Sequence, residues 1–248
     1  MSQRLAAREP QPAQERQRTT ELEITQTLAE RYAALAHTFA PRRIDTVLRG
    51  CDIALSGVIL VVFSPILLLM VVFIAITSGR PIFYRGARVG RAGRTFSMYK
   101  LRTLRVGAEQ RIGQYQDKEL DARTEGEVTR LGRVLRASQL DELPQLINVL
   151  RGDMSVVGPR PIRPVFFEQL SAEIPQYWQR LVVRPGLTGF AQLRVTRDMT
   201  WSEKLAHDLE YLADRSLGLY IRLVLATIWR LIKRLVVEVP AALAPRAR

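Results

Sequence analysis

Apolar residues are distributed unevenly along this chain, and the longest apolar run predicts the first element. Residues 53–77, IALSGVILVVFSPILLLMVVFIAIT, carry no charged side chain. As a helix this run would be about 37 Å long, enough to cross the hydrocarbon core of a bilayer. Ser64 and Pro65 lie near its middle, where a proline removes one backbone hydrogen bond and bends the helix. The run predicts a membrane-inserted helix that is broken at its centre.

The residues that flank this run leave two topologies open. Cytoplasmic flanks of membrane helices carry an excess of Lys and Arg. Here both flanks are basic, which favours a hairpin that enters and leaves on the cytoplasmic face with Ser64 and Pro65 at its apex. A kinked spanning helix stays open on the sequence alone, because spanning helices tolerate proline. The flanking basic residues are Arg42, Arg43 and Arg49 before the run, and Arg80, Arg85, Arg88, Arg91 and Arg94 after it.

The remainder of the chain combines short extended segments with helices. Glycines punctuate residues 82–100 and predict hairpin strands. Residues 110–127 are polar, while residues 131–150 and 201–212 have helical patterns. Residues 1–20 are polar and predicted to be disordered, and residues 21–39 allow an amphipathic helix. Apolar and basic positions alternate over residues 217–239, which predicts a basic amphipathic helix that can lie among anionic headgroups. Its basic residues are Arg222, Arg230, Lys233 and Arg234.

Charge and composition narrow the classes of partner. The formal net charge is +13 and most of the cations are arginines, which indicates an anionic partner such as phosphorylated substrates, lipid headgroups or nucleic acid. A nucleic-acid binder would interleave aromatic residues with its basic patch, but only 7% of residues are aromatic. The single cysteine, Cys51, excludes an internal disulfide, and two distant histidines argue against a zinc centre or a His-based triad.

Two adjacent carboxylates, Asp141 and Glu142, open the run DELPQL at the start of a helical pattern. Pro144 is tolerated only in a first helical turn, so we expect the helix to begin near Asp141. One interpretation is that Asp141 caps this helix. The other is that an ionised carboxylate, close to free N–H groups and several arginines, attacks a phosphate. Both interpretations remain open at this point.

Four ordered motifs resemble those of the bacterial sugar transferases, the monotopic polyprenyl-phosphate phosphoglycosyl transferases. The run RASQLDELPQLINVLRGDMSVVGPRPIRP at 136–164 resembles the signature of this family. KLRTL at 100–104 and RPGLTGFAQL at 184–193 resemble two further blocks, and Ser64–Pro65 corresponds to the break in the family's membrane hairpin. The resemblance covers residues 43 to 233 and implies re-entry rather than spanning.

The resemblance implies an activity and a set of site residues. Such enzymes transfer a sugar 1-phosphate from a UDP-sugar to undecaprenyl phosphate with Mg²⁺, at the cytoplasmic face of the bacterial inner membrane. The resemblance implies that Asp141 is the nucleophile, which forms a phosphosugar ester and releases UMP. It also implies that Glu142 positions or activates the lipid phosphate, the second nucleophile. Asp141 is also the one metal ligand that we expect, and an anionic membrane is the expected partner surface. Residues expected to bind substrate are Lys100, Arg102, Arg136, Pro159, Arg160 and Pro161.

The expected fold class is α+β and mostly helical, a small membrane-associated domain with a re-entrant, Ser-Pro-broken helix hairpin and interfacial amphipathic helices. Four segments are expected: an N-terminal extension at 1–40, the membrane hairpin at 41–79, a cytosolic catalytic domain at 80–216, and a basic interfacial helix and tail at 217–248. A homodimer stays open. Three departures from the family are visible: residues 194–200 read RVTRDMT without the usual Gly, Tyr220 replaces a common Asp, and the N-terminal forty residues have no counterpart in the smallest members. The rival functions are an inactive membrane scaffold and a membrane-anchored nucleic-acid binder.

Overall fold

The computed structural model describes residues 42–108, 111, 123–194 and 199–243, and the fold is α+β and mostly helical, as the sequence predicts. The predictions for residues 1–40 concern residues outside these ranges, and so does most of the prediction for the polar stretch 110–127. In chain order the described helices and strands are α1 (Arg43–Ser78), β1 (Phe83–Val89), β2 (Thr95–Leu101), α2 (Arg130–Ser138), α3 (Gln145–Arg151), β3 (Ser155–Val157), α4 (Pro164–Glu173), β4 (Gly186–Thr188), α5 (Phe190–Arg194), α6 (Trp201–Asp214) and α7 (Leu217–Leu243).

Helix α1 contains the long apolar run as one continuous helical element, with Pro65 inside it. A proline at this position leaves the carbonyl four residues earlier, that of Val61, without its helical donor. The Ser64 hydroxyl donates to this Val61 carbonyl at 2.8 Å. The Ser-Pro pair therefore supplies a replacement for the hydrogen bond that it removes. Of the described helices, α1 alone is long and apolar enough to cross a membrane.

Both ends of α1 pack against the same domain. Near its start, the buried Asp52 accepts hydrogen bonds from the Ser155 hydroxyl at 3.0 Å and the Val156 N–H at 2.9 Å. Near its end, Ile74 is 1% exposed and packs with Leu101 and Leu135. The middle of the helix is exposed to solvent in this structure. Its exposed large apolar residues include Val58, Val61, Val62, Phe63, Ile66, Leu68 and Leu69.

Strands β1 and β2 form the antiparallel hairpin that the glycine-punctuated segment predicts. The register places Tyr84 opposite Lys100 and Gly86 opposite Met98. A side chain at Gly86 would clash with the Tyr84 ring and the Arg88 guanidinium, because its Cβ would lie 2.4 and 2.9 Å from their atoms. The glycine therefore lets Tyr84 and Arg88 approach each other on the strand face that carries Lys100.

Strands β3 and β4 are parallel and join two sequence motifs that are distant in the chain. Ser155 pairs with Gly186 and Val157 with Thr188, which brings the GPRP turn beside the PGLTG block. A Cβ on Gly186 would lie 2.1 Å from the Gly158 nitrogen, and a Cβ on Gly158 would lie 2.5 Å from the Arg184 carbonyl oxygen. The two backbones can meet this closely only because both positions are glycine.

The helical prediction for residues 131–150 is wrong in one respect, because the structure breaks the helix at Gln139. This residue adopts a left-handed conformation with φ 57° and ends α2. A short 3₁₀ helix, Leu140–Glu142, follows, and α3 begins at Gln145 rather than near Asp141. Asp141 therefore lies in the bend between two helices. The helical parts of the predictions for residues 201–212 and 217–239 are confirmed by α6 and α7.

Candidate active site

Two adjoining cavities lie on either side of Glu142. The first has a volume of about 620 Å³ and is lined by Lys100, Arg102, Arg136 and Asp141, with further residues of the β1–β2 hairpin. The second has a volume of about 630 Å³ and lies against the GPRP turn and helices α6 and α7. We call them the Asp141 lobe and the Arg160 lobe. The residues that line both lobes are Arg88, Gln139, Glu142, Arg163 and Arg234.

The Asp141 carboxyl lies in the Asp141 lobe and does not cap a helix. Pro144 occupies the N-cap position of α3, and no side chain makes a capping hydrogen bond there or at the preceding 3₁₀ helix. The capping interpretation is therefore wrong. Asp141 is 7% exposed, and burial, only partly offset by the positive charge of Lys100, raises its pKa to about 6. The adjacent Glu142 adds to this rise, so the carboxyl is less firmly ionised than the sequence suggested.

Glu142 is held ionised by a lysine from the neighbouring strand. Burial favours its neutral form, but the charges of Lys100 and Arg160 and a hydrogen bond from Lys100 outweigh it and lower the pKa of Glu142. Lys100 Nζ lies 2.6 Å from Glu142 Oε1. The two neighbouring carboxyls thus have pKa values shifted in opposite directions, which is a common arrangement where one group acts as nucleophile or base and its neighbour as a fixed charge.

Arg136 and Arg102, both predicted to bind substrate, line the Asp141 lobe but are held differently. Arg136 Nε donates to the Thr103 hydroxyl at 2.9 Å, and its charge lowers the pKa of Asp141. Arg102 is 8% exposed and donates through Nη2 to the carbonyls of Ser78 and Gly79. Its Nε and Nη1 have no hydrogen-bond partner among the described residues. Arg102 therefore secures the end of α1 and has two further donors that no described residue uses.

The GPRP turn carries Arg160 into the second lobe. Pro159 is buried and Pro161 lines the lobe. The Gly186 N–H donates to the Pro159 carbonyl at 2.8 Å, which ties the turn to β4. The Arg160 guanidinium is exposed and contributes to the lowered pKa of Glu142. The structure thus brings most of the predicted site residues to one bipartite cavity, while Pro159 lines neither lobe; those at the cavity are Lys100, Arg102, Arg136, Asp141, Glu142, Arg160 and Pro161.

A buried ion pair that the sequence did not reveal holds the backbone of the GPRP turn. Arg180 is 6% exposed and lies 2.9 Å from Asp208 Oδ2. Its Nη2 donates to the Arg160 carbonyl at 2.7 Å, and its Nη1 donates to the Tyr177 hydroxyl. Breaking such a buried pair costs about 3–5 kcal/mol. Arg180 therefore fixes the backbone that presents Arg160.

Three arginines at the junction of the lobes were also not identified as site residues. They are Arg88 on β1, Arg163 after the GPRP turn and Arg234 on α7. The spacing of Arg163 three residues after Arg160 was a usable signal. Arg88 and Arg234 carried none, because only the packing of β1 and α7 brings them to Glu142.

The donor set fits a magnesium ion in one specific way. Mg²⁺ is usually held by one or two carboxylates together with substrate phosphates, rather than by a complete protein cage. Asp141 and Glu142 line the same lobe and would supply such carboxylates. Within the described ranges, no group of three His, Cys, Asp or Glu side chains forms a cage. The residues present therefore fit Mg²⁺ only in company with a phosphorylated substrate.

Comparison with known proteins gives this site a family context. The sequence profile of the bacterial sugar transferases matches residues 44–234. The chain is 40% identical over 185 residues to the UDP-N-acetylgalactosamine-undecaprenyl-phosphate N-acetylgalactosaminephosphotransferase of Aeromonas hydrophila, covering 73% of this chain and 42% of that protein. It is 39% identical over 191 residues to the UDP-glucose:undecaprenyl-phosphate glucose-1-phosphate transferase of Caulobacter vibrioides, covering 75% of this chain and 69% of that protein.

A third relative has a different kind of name. The exopolysaccharide production protein ExoY of Rhizobium meliloti is 34% identical over 190 residues, which cover 73% of this chain and 83% of that protein. The match to the Aeromonas protein spans about two fifths of its length, so that relative contains segments without a counterpart in the match. The family profile spans nearly all of α1, both lobes and Arg234, and the chain belongs to the bacterial sugar transferase family.

Proposed function

We propose that this protein transfers a sugar 1-phosphate from a UDP-sugar to undecaprenyl phosphate and releases UMP. The observation that carries the proposal is a buried carboxyl, Asp141, at the base of an arginine-lined cavity beside an ionised Glu142. The names of two relatives, transferases of N-acetylgalactosamine phosphate and glucose 1-phosphate to undecaprenyl phosphate, support the substrate class. The name of the Rhizobium relative supports a role in polysaccharide assembly.

The reaction would proceed in two displacements at one phosphorus atom. An Asp141 oxygen attacks the phosphorus that bears the sugar, the bond from this phosphorus to the bridging oxygen breaks, and UMP leaves with the electron pair. A phosphosugar ester then remains on Asp141. An oxygen of undecaprenyl phosphate attacks the same phosphorus, and the Asp141 carboxylate leaves. Covalent catalysis of this kind lets a water-soluble donor and a lipid acceptor use one site in turn.

The basic residues around Asp141 would stabilise negative charge during both steps. Arg136 and Arg102 line the Asp141 lobe, and Arg160 and Arg163 line its neighbour. Guanidinium groups suit the phosphate oxygens of a diphosphate, because they can donate two hydrogen bonds at once. Lys100 would keep Glu142 ionised so that Glu142 can orient the second nucleophile. Asp141 would hold Mg²⁺ in company with the substrate, and the ion would neutralise part of the diphosphate charge.

We propose that α1 is a re-entrant element and that the catalytic domain lies on the cytoplasmic face of the bacterial inner membrane. Arg49 donates to the carbonyls of Val149 and Leu150, while Arg102 donates to that of Ser78. A straight helix from Arg49 to Ser78 would be about 43 Å long, yet both of its ends contact the domain that holds Lys100 and Asp141. A bend at Pro65 would allow both contacts and would keep the exposed middle of α1 in the lipid.

Release of UMP in a defined vesicle system tests the proposed function. Purified protein in vesicles that contain undecaprenyl phosphate and Mg²⁺ is given a panel of UDP-sugars. We expect UMP and a lipid-linked sugar diphosphate from at least one of them, and none from Asp141→Asn. Asp214→Asn is the matched control, because Asp214 is an exposed carboxylate at the end of α6. Undiminished product from Asp141→Asn would contradict the proposal, and a membrane scaffold would release no UMP at all.

A further inference from the structure

Helix α7 presents three different faces along its length. One face packs on the domain through the buried Tyr220 and Leu223. A second face carries Ile221, Leu225 and Ile228, which are 46–60% exposed and, with Ile232, recur every three or four residues. Such spacing forms one apolar stripe on a helix. The third face is basic and includes Arg222 and Lys233, whereas Arg230, seven residues after the buried Leu223, donates to the Gln192 carbonyl and lines the Arg160 lobe. An exposed apolar stripe beside basic residues is typical of a helix that lies in the membrane interface.

The side chain of Arg234 reaches the candidate active site. Its side chain is 26% exposed and lines both lobes of the cavity. Helix α7 packs along α2, which leads into the bend that holds Asp141. Arg234 therefore lies at the junction of the two lobes, where Glu142 also lies.

The position of Arg234 matters because of the route by which a lipid acceptor must reach the cavity. The acceptor's polyprenyl chain stays in the bilayer, so its phosphate must reach Glu142 from the interface in which α7 lies. Of the arginines that line both lobes, Arg234 alone comes from the helix with the exposed apolar stripe. A guanidinium at this point would meet a lipid phosphate before it reaches the phosphosugar ester on Asp141.

We propose that Arg234 binds the phosphate of the polyprenyl acceptor and acts in the second displacement, not in the first. The inference rests on the proposed function, since it assumes two half-reactions. Because Arg234 belongs to α7, this role makes the second displacement depend on the position of α7 in the membrane interface. A protein with α7 displaced from the interface would still form the phosphosugar ester but would transfer it slowly.

A purely structural role for Arg234 is the main rival explanation. Its Nε donates to Glu238 Oε1 at 2.9 Å, an ion pair one turn along α7. Glu238→Gln removes this pair and keeps the guanidinium, so it serves as one control. Arg222→Ala removes an equal charge from an exposed position on the same helix, so it controls for the attraction of α7 to anionic lipids.

The two half-reactions can be measured separately. Exchange of labelled UMP into the UDP-sugar, without acceptor, reports the first displacement, and transfer to varied concentrations of undecaprenyl phosphate reports the second. For Arg234→Ala we expect exchange within about twofold of wild type and a fall of at least tenfold in kcat/KM for the acceptor. Arg234→Lys should recover part of the loss, whereas Arg222→Ala and Glu238→Gln should change neither reaction by more than about twofold.

The alternative outcomes are distinct. Equal losses in both half-reactions, an unchanged acceptor kcat/KM, or the same loss in Arg222→Ala would overturn the role of Arg234 while leaving the proposed function intact. Absence of UMP exchange in the wild-type protein would instead contradict the covalent mechanism, and this inference with it. Vesicle flotation and thermal unfolding check that each variant is folded and membrane-bound. If Arg234→Ala does not fold, Arg234→Gln provides the same comparison.

Discussion

Lys100 on β2 forms an ion pair at 2.6 Å with Glu142 in the 3₁₀ helix, and this contact links the β1–β2 hairpin to the bend that carries Asp141. The register of the hairpin positions Lys100 opposite Tyr84, so the lysine is presented by a paired strand rather than by a loop. The charge of Lys100 opposes the effect of burial on both carboxyls: it helps to lower the pKa of Glu142 but only partly offsets the rise in the pKa of Asp141.

Replacement of Lys100 by an uncharged residue should impair catalysis by changing the ionisation of the two neighbouring carboxyls. In Lys100→Met we expect the pKa values of Glu142 and Asp141 to rise, since burial then acts with less opposition. Turnover should fall at least tenfold at neutral pH and recover partly as the pH is raised. Lys100→Arg keeps the charge and should retain more activity. A pH–rate profile with an unshifted acidic limb in Lys100→Met would contradict this assignment.

The raised pKa of Asp141 predicts the pH dependence of the first half-reaction. The nucleophile must be ionised, so the rate of UMP exchange should rise with pH and reach half of its plateau near the pKa of about 6. Glu142→Gln removes a neighbouring negative charge and should move this midpoint to lower pH. Exchange measured between pH 5 and 8 checks both statements. A midpoint near 4 in the wild-type protein would show that burial does not control this carboxyl.

The same pKa shift predicts that Asp141 destabilises the fold. The folded pKa of about 6 exceeds the ordinary Asp value of 3.8, so the folded state binds a proton more tightly than the unfolded one. The cost is absent below about pH 4, grows as the pH rises to about 6, and is complete above it, at about 2–3 kcal/mol. Asp141→Asn should therefore raise the Tm in detergent at pH 8, and this gain should vanish near pH 4.

Tyr220, which stands where the family commonly has Asp, makes a buried contact that predicts how its substitution changes the stability of the fold. Its hydroxyl donates to Asp52 Oδ1 at 3.0 Å, beside the bonds from Ser155 and Val156. Tyr220→Phe should cost about 1 kcal/mol, and Asp52→Ala about 3 kcal/mol because it leaves buried donors unpaired. Thermal unfolding in detergent measures both changes. The rate of UMP exchange per folded molecule should not change in Tyr220→Phe, whose contact is with the start of α1 rather than with the cavity.

The re-entrant topology predicts which ends of α1 face the same compartment. With Cys51→Ser as background, single cysteines at Arg43 and Arg80 should both react with a membrane-impermeant maleimide added from the cytoplasmic side. Glu173→Cys, at an exposed position of α4, is the control for that side. Labelling of the two cysteines from opposite sides of the membrane would show that α1 spans the bilayer.

Much of this architecture could be predicted because it depends on local patterns. The uncharged run predicts α1, the glycines predict the β1–β2 hairpin, and alternation over residues 217–239 predicts α7. The motifs KLRTL, DELPQL, GPRP and PGLTG also converge, since each provides residues to one bipartite cavity or to the strand pair beneath it. For these elements a short window of sequence contains the physical cause.

The features that the sequence could not reveal depend on packing between distant residues. Gln139 adopts a left-handed conformation that usually requires Gly or Asn, so no local signal marked the break before Asp141. The raised pKa of Asp141 follows from its burial, which involves residues far away in the chain. The contacts of Asp52 with Tyr220 and of Arg180 with Asp208 join residues 168 and 28 positions apart. Arg234 reaches the cavity only through the docking of α7.

The central claim, that Asp141 carries the phosphosugar during turnover, can be tested by mass spectrometry of the trapped protein. The protein is mixed with a UDP-sugar that supports UMP release, without acceptor, and quenched at successive times. We predict an added mass equal to the sugar phosphate on the peptide that contains Asp141, its loss on addition of undecaprenyl phosphate, and its absence in Asp141→Asn. Steady UMP release with an unmodified Asp141 peptide at every time point would contradict the mechanism.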